Sequence, residues 1–511
     1  METLTLSLPI DSDSSVPVPR QVADGLRLLI ADGELTPGAK LPPSRALAKA
    51  LGIPRRAVVQ AFEILAHDGW VDAGVGRGTF VRSRFETGAR SGASLSVNSA
   101  DASDRFAWDQ VIAGRVADDG GMWRTARQGG DQQNWIRFTG ATADPALFPT
   151  EELRAIVDEV FVRHGSQALD YGPPEGLASL REVLADRLAA RGVDVSPEQV
   201  LIVNGSQQGL DLLLRLLVVR GETVFVEEPG YANGFRLFRA AGARVVGVPM
   251  DESGLSLPRL EEACRRDAGR FLYTVPAFQN PTGICLDEER IEPLLALARR
   301  HSLPIIEDHF DGDLVYDGEA PRLVKSFDRH DQVILLGSFS KILFPGLRLG
   351  WLVAPPPLLA ALRELKGLAD FSSGLLAQHA LALYCQRGLL DRHLERTRKI
   401  YGDRLRAMLD ALAREMPPEV SWTRPRGGLT LWLRLPPNVD AWDLLARARA
   451  EGVDFSPGPL FFPSGGGREF IRLGFVREPV ENIERGIRVL GQLLAAQSLT
   501  ERAKVPSSPF F

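Results

Sequence analysis

The hydrophobic positions divide the chain into stretches with different periods. From Val18 to Ala31 apolar residues recur at helical spacing, and Gly33 with Pro37-Gly38 stops the run. Leu41-Pro42-Pro43-Ser44 restarts the chain. The spacing predicts a short helix from Arg45 to Leu51, capped by Ser44 and ended by Gly52, then a second helix from about Pro54 to His67. Trp70-Val71-Asp72 and Gly78-Thr79-Phe80-Val81 flank Gly74-Val75-Gly76-Arg77, which reads as a hairpin with an arginine at its tip. From Arg82 to about Asn134 no period persists, and Ser, Ala, Asp, Gly and Arg dominate. This stretch is expected to be a linker, with Phe106, Trp108 and Trp123 docking on the next domain.

From Trp135 short apolar runs alternate with amphipathic helices. Val200–Val203, Thr223–Val226, Arg244–Val248, Phe271–Val275 and Pro304–Ile306 are separated by helix-length segments. Strand–helix repetition predicts an α/β fold with a mostly parallel sheet and ligands at the carboxyl ends of its strands. Past Pro357 the pattern turns helical, with a long amphipathic run from about Leu390 to Met416. A hairpin-like Trp422 to Leu435 and helices near Trp442 to Glu451 and Val480 to Ala495 complete a smaller α+β domain. Ala503 to Phe511 is expected to be a loose tail.

At 511 residues the chain exceeds what one hydrophobic core supports. Three regions are expected: 17–83, a linker over 84–134, and 135–497. The net charge of −5 excludes a global basic field, so any nucleic-acid site must be local. Three widely spaced cysteines and seven histidines without ligand spacing fit neither a disulfide framework nor a metal centre. Met1 to Ile10 lacks a basic n-region, and no window is long and apolar enough to span a bilayer, so a cytoplasmic protein is expected.

Charge is distributed unevenly in the first region. Between Thr36 and Phe62 stand Lys40, Arg45, Lys49, Arg55 and Arg56, with no acidic residue. Arg55 and Arg56 fall in the first turn of the second helix and Gln60 lies one turn later, where a recognition helix meets bases and phosphates. The segment resembles the winged helix-turn-helix domain of GntR-type bacterial regulators. The resemblance rests on Leu41-Pro42-Pro43-Ser44-Arg45, Leu47-Ala48, Leu51-Gly52-Ile53, Arg55, Val58, Ala61-Phe62, Leu65, Gly69 and Gly76-Arg77-Gly78-Thr79-Phe80-Val81. It implies double-stranded DNA as partner, with Arg45, Arg55, Arg56, Gln60 and Arg77 as contacts. Where that family usually has Ser-Arg-Asn/Thr-Thr, this chain has Pro54-Arg55-Arg56-Ala57, so an operator sequence does not carry over.

In the third region the loops after the apolar runs hold the polar chemistry. Val333-Ile334-Leu335-Leu336 delivers Ser338, Ser340 and Lys341 to a strand end, and Arg348 follows a short turn later. A lysine at the dry mouth of a sheet is pushed toward its neutral, nucleophilic form and can condense with a carbonyl, while hydroxyls and a guanidinium suit a phosphate. Asn204-Gly205-Ser206-Gln207-Gln208-Gly209 is a small-residue turn opening a helix from Leu210 onward, which suits a phosphate as well. Tyr231, Asn280 and Asp308 each sit in such a loop. Taken singly, each has a structural alternative: Tyr231 as a core residue, Asn280 as a turn residue ahead of proline, and Asp308 as a helix cap.

Together these residues form the set that pyridoxal 5′-phosphate requires, and roughly Phe138 to Gln497 resembles fold-type I aminotransferases. The motifs are Tyr171-Gly172-Pro173-Pro174-Glu175-Gly176, Gly205-Ser206-Gln207, Glu228-Pro229-Gly230-Tyr231, Asn280-Pro281-Thr282-Gly283, Glu307-Asp308, Ser338-Phe339-Ser340-Lys341, Pro345-Gly346-Leu347-Arg348 and Ile471-Arg472-Leu473-Gly474-Phe475. The resemblance implies that Lys341 forms the internal aldimine and Asp308 holds the pyridine nitrogen. It assigns Asn280 to O3′, Tyr231 to the ring face, and Gly205, Ser206, Gln207, Ser338, Ser340 and Arg348 to the phosphate. Arg472 would grip a substrate carboxylate, and Tyr171 would reach the phosphate of a neighbouring subunit, which implies a homodimer. Phe310 departs from the pattern, because these relatives usually place a tyrosine there. If strand alternation persists, residues 308 and 310 face the cofactor and His309 faces away.

A GntR-like winged helix joined to an aminotransferase-like domain is the arrangement of the MocR/GabR regulators, which the whole chain resembles. The resemblance implies a DNA-binding transcriptional regulator that senses pyridoxal phosphate, or an amino compound through it. A working aminotransferase with a secondary DNA-binding domain is the alternative.

Overall fold

Three helices and a hairpin build the N-terminal unit. The computed structural model describes residues 17–31, 35, 39–67, 71–74, 78–81 and 135–504, and the chain divides between Ala107 and Trp108 into two units. The expectations for Gly33, Pro37-Gly38, Gly69-Trp70, Val75-Gly76-Arg77, the linker with its aromatics, and the residues past Lys504 lie outside the described residues.

Helices Val18–Ala31, Ser44–Leu51 and Arg55–His67 bury one stripe each. Val22 and Leu26, Leu47, and Val58, Ala61 and Leu65 stand at i, i+3 and i+4 spacings and join Leu41, Val71 and Val81 in a single core. Gly52 adopts the left-handed conformation (φ +64°) that ends the second helix, and its N–H bonds the Ala48 carbonyl. Ser44 does not cap that helix. The Pro43 carbonyl already accepts the N–H groups of Ala46 and Leu47, so Ser44 is the first helical residue. Its Oγ instead accepts from Arg55 Nε at 3.3 Å. Strands Val71–Gly74 and Gly78–Val81 pair antiparallel from Val71 opposite Val81 to Gly74 opposite Gly78. Arg45, Lys49, Arg55, Arg56 and Gln60 are all exposed, on the side of each helix away from the core, and Lys40 is exposed where it bridges to Phe80.

The second unit is organised on an eight-stranded sheet. In spatial order its strands are Val200–Val203, Gly350–Val353, Val333–Ser338, Ile305–His309, Gly269–Thr274, Thr223–Glu228, Arg244–Asp251 and Gly254–Leu255. Five neighbours from Val333–Ser338 to Arg244–Asp251 run parallel, and Gly350–Val353 is antiparallel to both of its neighbours. Helices cover both faces, which is why Val200–Val203 and Val333–Ser338 are buried along their whole length instead of alternating.

A smaller sheet of Ser421–Trp422, Thr430–Arg434, Phe470–Gly474 and Ser456–Pro457 packs with the long helices Leu389–Glu415 and Val480–Lys504. The last helix runs nine residues beyond the expected Ala495. Gly491 lets the two helices close, since a Cβ there would come within 2.4 Å of the Glu415 carbonyl oxygen. The unit opens with Ile136–Arg137, which pairs parallel to Val453–Asp454. Leu169, Tyr171, Leu368 and Phe371 are large apolar side chains left at least 67 % exposed, and the Tyr171 and Phe371 rings lie 5.9 Å apart.

Candidate functional site

The carboxyl ends of the parallel strands and the edge of the smaller sheet enclose a cavity of about 640 Å³. Asp308 reaches it as the fourth residue of Ile305–His309. Phe310, two positions on, lines the same cavity, while His309 faces a separate one of about 470 Å³ on the other side of the sheet, 3.7 Å from Asp313. Alternation therefore holds through residue 310. Asp308 Oδ2 accepts from Tyr273 Oη at 2.7 Å, and Oδ1 is buried without a partner. Burial pushes its pKa up to about 6, against the opposing pull of Tyr273, His309 and Lys341. A buried carboxylate with one empty oxygen is a seat for a cationic N–H donor.

Lys341 follows Val333–Ser338 and lines the cavity. Desolvation, with a further contribution from Arg472, lowers its pKa to about 8, so the neutral amine is accessible near physiological pH. Ser338 Oγ accepts the Ser340 N–H at 3.2 Å, and Ser340 Oγ is buried without a partner. Opposite them the helix Ser206–Leu217 begins, four residues earlier than its sequence suggested. Gly205 makes this possible: at φ +81° it turns the chain sharply, so the first intrahelical bond runs from Gln208 N–H to Gly205 and the helix start at Ser206 and Gln207 opens on the cavity. A Cβ at Gly205 would stand 2.9 Å from Arg348 Nη2. Arg348, itself left-handed at φ +51°, donates from Nη2 to the Asn204 carbonyl at 3.1 Å and so points back at the same turn. Helix-end N–H groups, two serines and a guanidinium make an anion seat of phosphate type.

Asn280 and Arg472 face each other at the other end. Arg472 Nη1 donates to Asn280 Oδ1 at 3.0 Å, Nη2 donates to the Thr139 carbonyl and to Ser456 Oγ, and Nε is buried with no partner. Desolvation lowers the Arg472 pKa to about 10. The bond from Arg472 fixes the Asn280 amide and leaves its Nδ2 as the donor side. Gln279 pins this loop, since its Nε2 donates to Glu227 Oε2 at 3.0 Å and to the Pro229 carbonyl at 2.8 Å. The same bonds tie down the turn that carries Tyr231 to the cavity wall.

Of the residues expected from sequence, Lys341, Asp308, Gly205, Ser206, Gln207, Tyr231, Asn280, Ser338, Ser340, Arg348 and Arg472 line one cavity. Tyr171 does not. It is 79 % exposed, outside this cavity within the single chain. The structure adds Tyr273, Thr139, Ser456, Arg137 and Arg477. Tyr273 pairs with Ile306 across parallel strands and so shares the face of Asp308. Period two with that register would have found it, and only the register was hidden. Thr139 and Ser456 reach Arg472 through the pairing of segments more than three hundred residues apart, for which a single sequence holds no signal. Among the described residues no His/Cys/Asp/Glu group could hold a metal ion, and no helix is long and apolar enough to cross a membrane.

Both units match known families. Residues 142–490 match the family described as aminotransferase class I and II, and residues 19–81 match the bacterial regulatory proteins of the gntR family. The uncharacterized HTH-type transcriptional regulator YdfD of Bacillus subtilis is 32 % identical over 94 % of this chain and 96 % of its own length. The probable rhizopine catabolism regulatory protein MocR of Rhizobium meliloti is 30 % identical over 88 % of each. The crystal structure of LysN, the alpha-aminoadipate aminotransferase of Thermus thermophilus, superposes with a TM-score of 0.71 at 36 % identity, covering 77 % of this chain and all of that one. The chain belongs to the aminotransferase class I and II family and is a GntR-type DNA-binding regulator in which a helix-turn-helix domain is fused to an aminotransferase domain.

Proposed function

We propose that this regulator holds pyridoxal 5′-phosphate in the cavity of its second unit and senses the cofactor, or an amino compound that reacts with it, through attachment at Lys341. The family is pyridoxal-phosphate-dependent. The observation that carries the reading is the convergence on one cavity of an amine, a carboxylate and a phosphate-type seat. The residues fit the group. Asp308 Oδ1 and Ser340 Oγ are buried polar atoms without partners, and Gly205 leaves room where any side chain would collide with Arg348.

When bound, the cofactor supplies an aldehyde and an electron-withdrawing ring. Lys341 offers the neutral amine for that aldehyde, and Asp308 holds a proton on the ring nitrogen. Asn280 Nδ2 would donate to O3′, Tyr231 would stack on the ring, and Gly205, Ser206, Gln207, Ser338, Ser340 and Arg348 would seat the phosphate. Arg472 Nε receives an incoming carboxylate. The same assembly supports the second reading, a working aminotransferase, and the phenyl ring at position 310 weighs against fast turnover.

In the first unit Arg45, Arg55, Arg56, Gln60 and Arg77 contact DNA. Each base contact contributes about 1–3 kcal/mol. Arg55→Ala with Arg56→Ala is expected to abolish a specific gel shift and to leave cofactor absorbance intact, whereas an unchanged shift removes the recognition-helix assignment.

The exposed Leu169, Tyr171, Leu368 and Phe371 support a homodimer in which Tyr171 reaches the partner's phosphate seat. Two winged helices then engage paired half-sites with multivalent gain. Sedimentation of the cofactor-bound protein is expected to report a dimer, and a stable monomer with tight cofactor binding rules this out.

Phe310 lines the cavity but has no hydroxyl to support O3′. With the cofactor bound at Lys341, the lack of that bond would disfavour loss of the proton held there, at about 1.4 kcal/mol per pKa unit. The linkage then keeps its proton, and its yellow colour, to higher pH. Titration of the visible band is expected to give a lower pKa in Phe310→Tyr than in the wild type. Equal values, or brisk multiple turnover of an amino acid with 2-oxoglutarate by the wild type, defeat the argument from Phe310.

A further inference from the structure

Five basic and two acidic side chains line the cavity, and most can be matched to a counter-charge. Asp454 already has one, because Arg449 Nε donates to its Oδ1 at 2.9 Å. In the proposed function Asp308 faces the ring nitrogen, Lys341 the aldehyde, Arg348 the phosphate and Arg472 a first carboxylate. Arg477 then remains with no assigned ligand group.

Arg477 lies five residues past Arg472, just beyond the carboxyl end of strand Phe470–Gly474, and is half-buried. Among the described residues it makes no hydrogen bond or ion pair. The adjacent carboxylate, Glu478, is occupied elsewhere: Oε1 accepts the Arg137 N–H at 2.9 Å and Oε2 accepts Asn482 Nδ2 at 2.8 Å. Arg137 lines the same cavity from the strand paired with Val453–Asp454. Both arginines also line a neighbouring hollow of about 660 Å³, so they stand where the two spaces adjoin. Glu451 and Glu478 line the neighbouring hollow with Arg477, yet neither is bonded to it; a half-buried guanidinium with its donors unfilled makes a receptor for a planar anion, and carboxylate is the match for its fork of donors.

We propose that the sensed compound carries two carboxylates, the first held by Arg472 and the second by Arg477 with Arg137. This rests on the assignment of Arg472 to the first carboxylate. An account in which Arg477 only strengthens the positive field of the cavity makes a different prediction, because Arg477→Lys keeps the charge and would then restore the full preference.

The test uses the full-length, cofactor-bound protein and plain acids that cannot react: succinate, glutarate and adipate, each beside the monocarboxylate with the same number of carbons. Binding is read by calorimetry and by perturbation of the visible band. At least one diacid is expected to bind roughly tenfold to a hundredfold tighter than its monoacid, as a charge-assisted contact provides. In Arg477→Met that ratio is expected to fall to about one, with partial recovery in Arg477→Lys, and the visible band reports that each variant still seats the cofactor. A ratio near one for every pair in the wild type overturns the inference, as does a large ratio that persists in Arg477→Met. Failure of the underlying assignment shows differently: if monoacids bind equally well to the wild type and to Arg472→Met, the first carboxylate is not on Arg472 and the inference falls with it.

Discussion

Two buried charges of opposite sign, Asp308 and Arg472, hold the ends of one cavity without an ionic partner for either. Removing a carboxylate or a guanidinium from water costs several kcal/mol unless a counter-charge replaces the lost hydration. The free protein answers only in part. Asp308 has one neutral donor, Tyr273, and its pKa rises to about 6, while Arg472 has three neutral acceptors and its pKa falls to about 10. Each charge is kept in place by the rigid element beneath it, a central parallel strand in one case and the smaller sheet in the other. A ligand with a cationic ring nitrogen at one end and a carboxylate at the other relieves both at once.

The elements that carry the site were largely legible in the sequence. Short apolar runs bounded by turn residues gave the buried strands, and the residues at their carboxyl ends gave ten residues of the cavity wall, while Arg472 came only from the family resemblance. Period two carried as far as Phe310, which is why His309 could be set aside. What stayed hidden were effects of register and of long-range pairing. Tyr273 shares a face with Asp308 only because of the offset between two strands. Thr139 and Arg137 enter the site because the start of the unit pairs with Val453–Asp454, more than three hundred residues away. Local rules also failed where two of them competed. Ser44 has a good N-cap side chain, yet the preceding proline carbonyl took the capping position, and Gly205 started its helix a full turn early.

The two units divide the work by charge. The first has its own apolar core and puts its cations outward. The second also gathers Lys341, Arg348 and Arg472 around its cavity. The strand Ile136–Arg137 is the first described segment after the expected linker and also a wall of that cavity.

If ligand chemistry at Lys341 is what the winged helix reports, the two binding events are thermodynamically linked, and linkage is reciprocal. An amino compound that changes DNA affinity by some factor must have its own affinity changed by DNA to the same extent. The decisive measurement is a titration of the visible band with the amino compound, performed with and without a saturating DNA duplex carrying the operator. A sensor requires the midpoint to move in the presence of DNA, by the same factor that the compound moves the DNA midpoint. Superimposable titrations would mean that the cavity and the winged helix act independently, and would contradict the account.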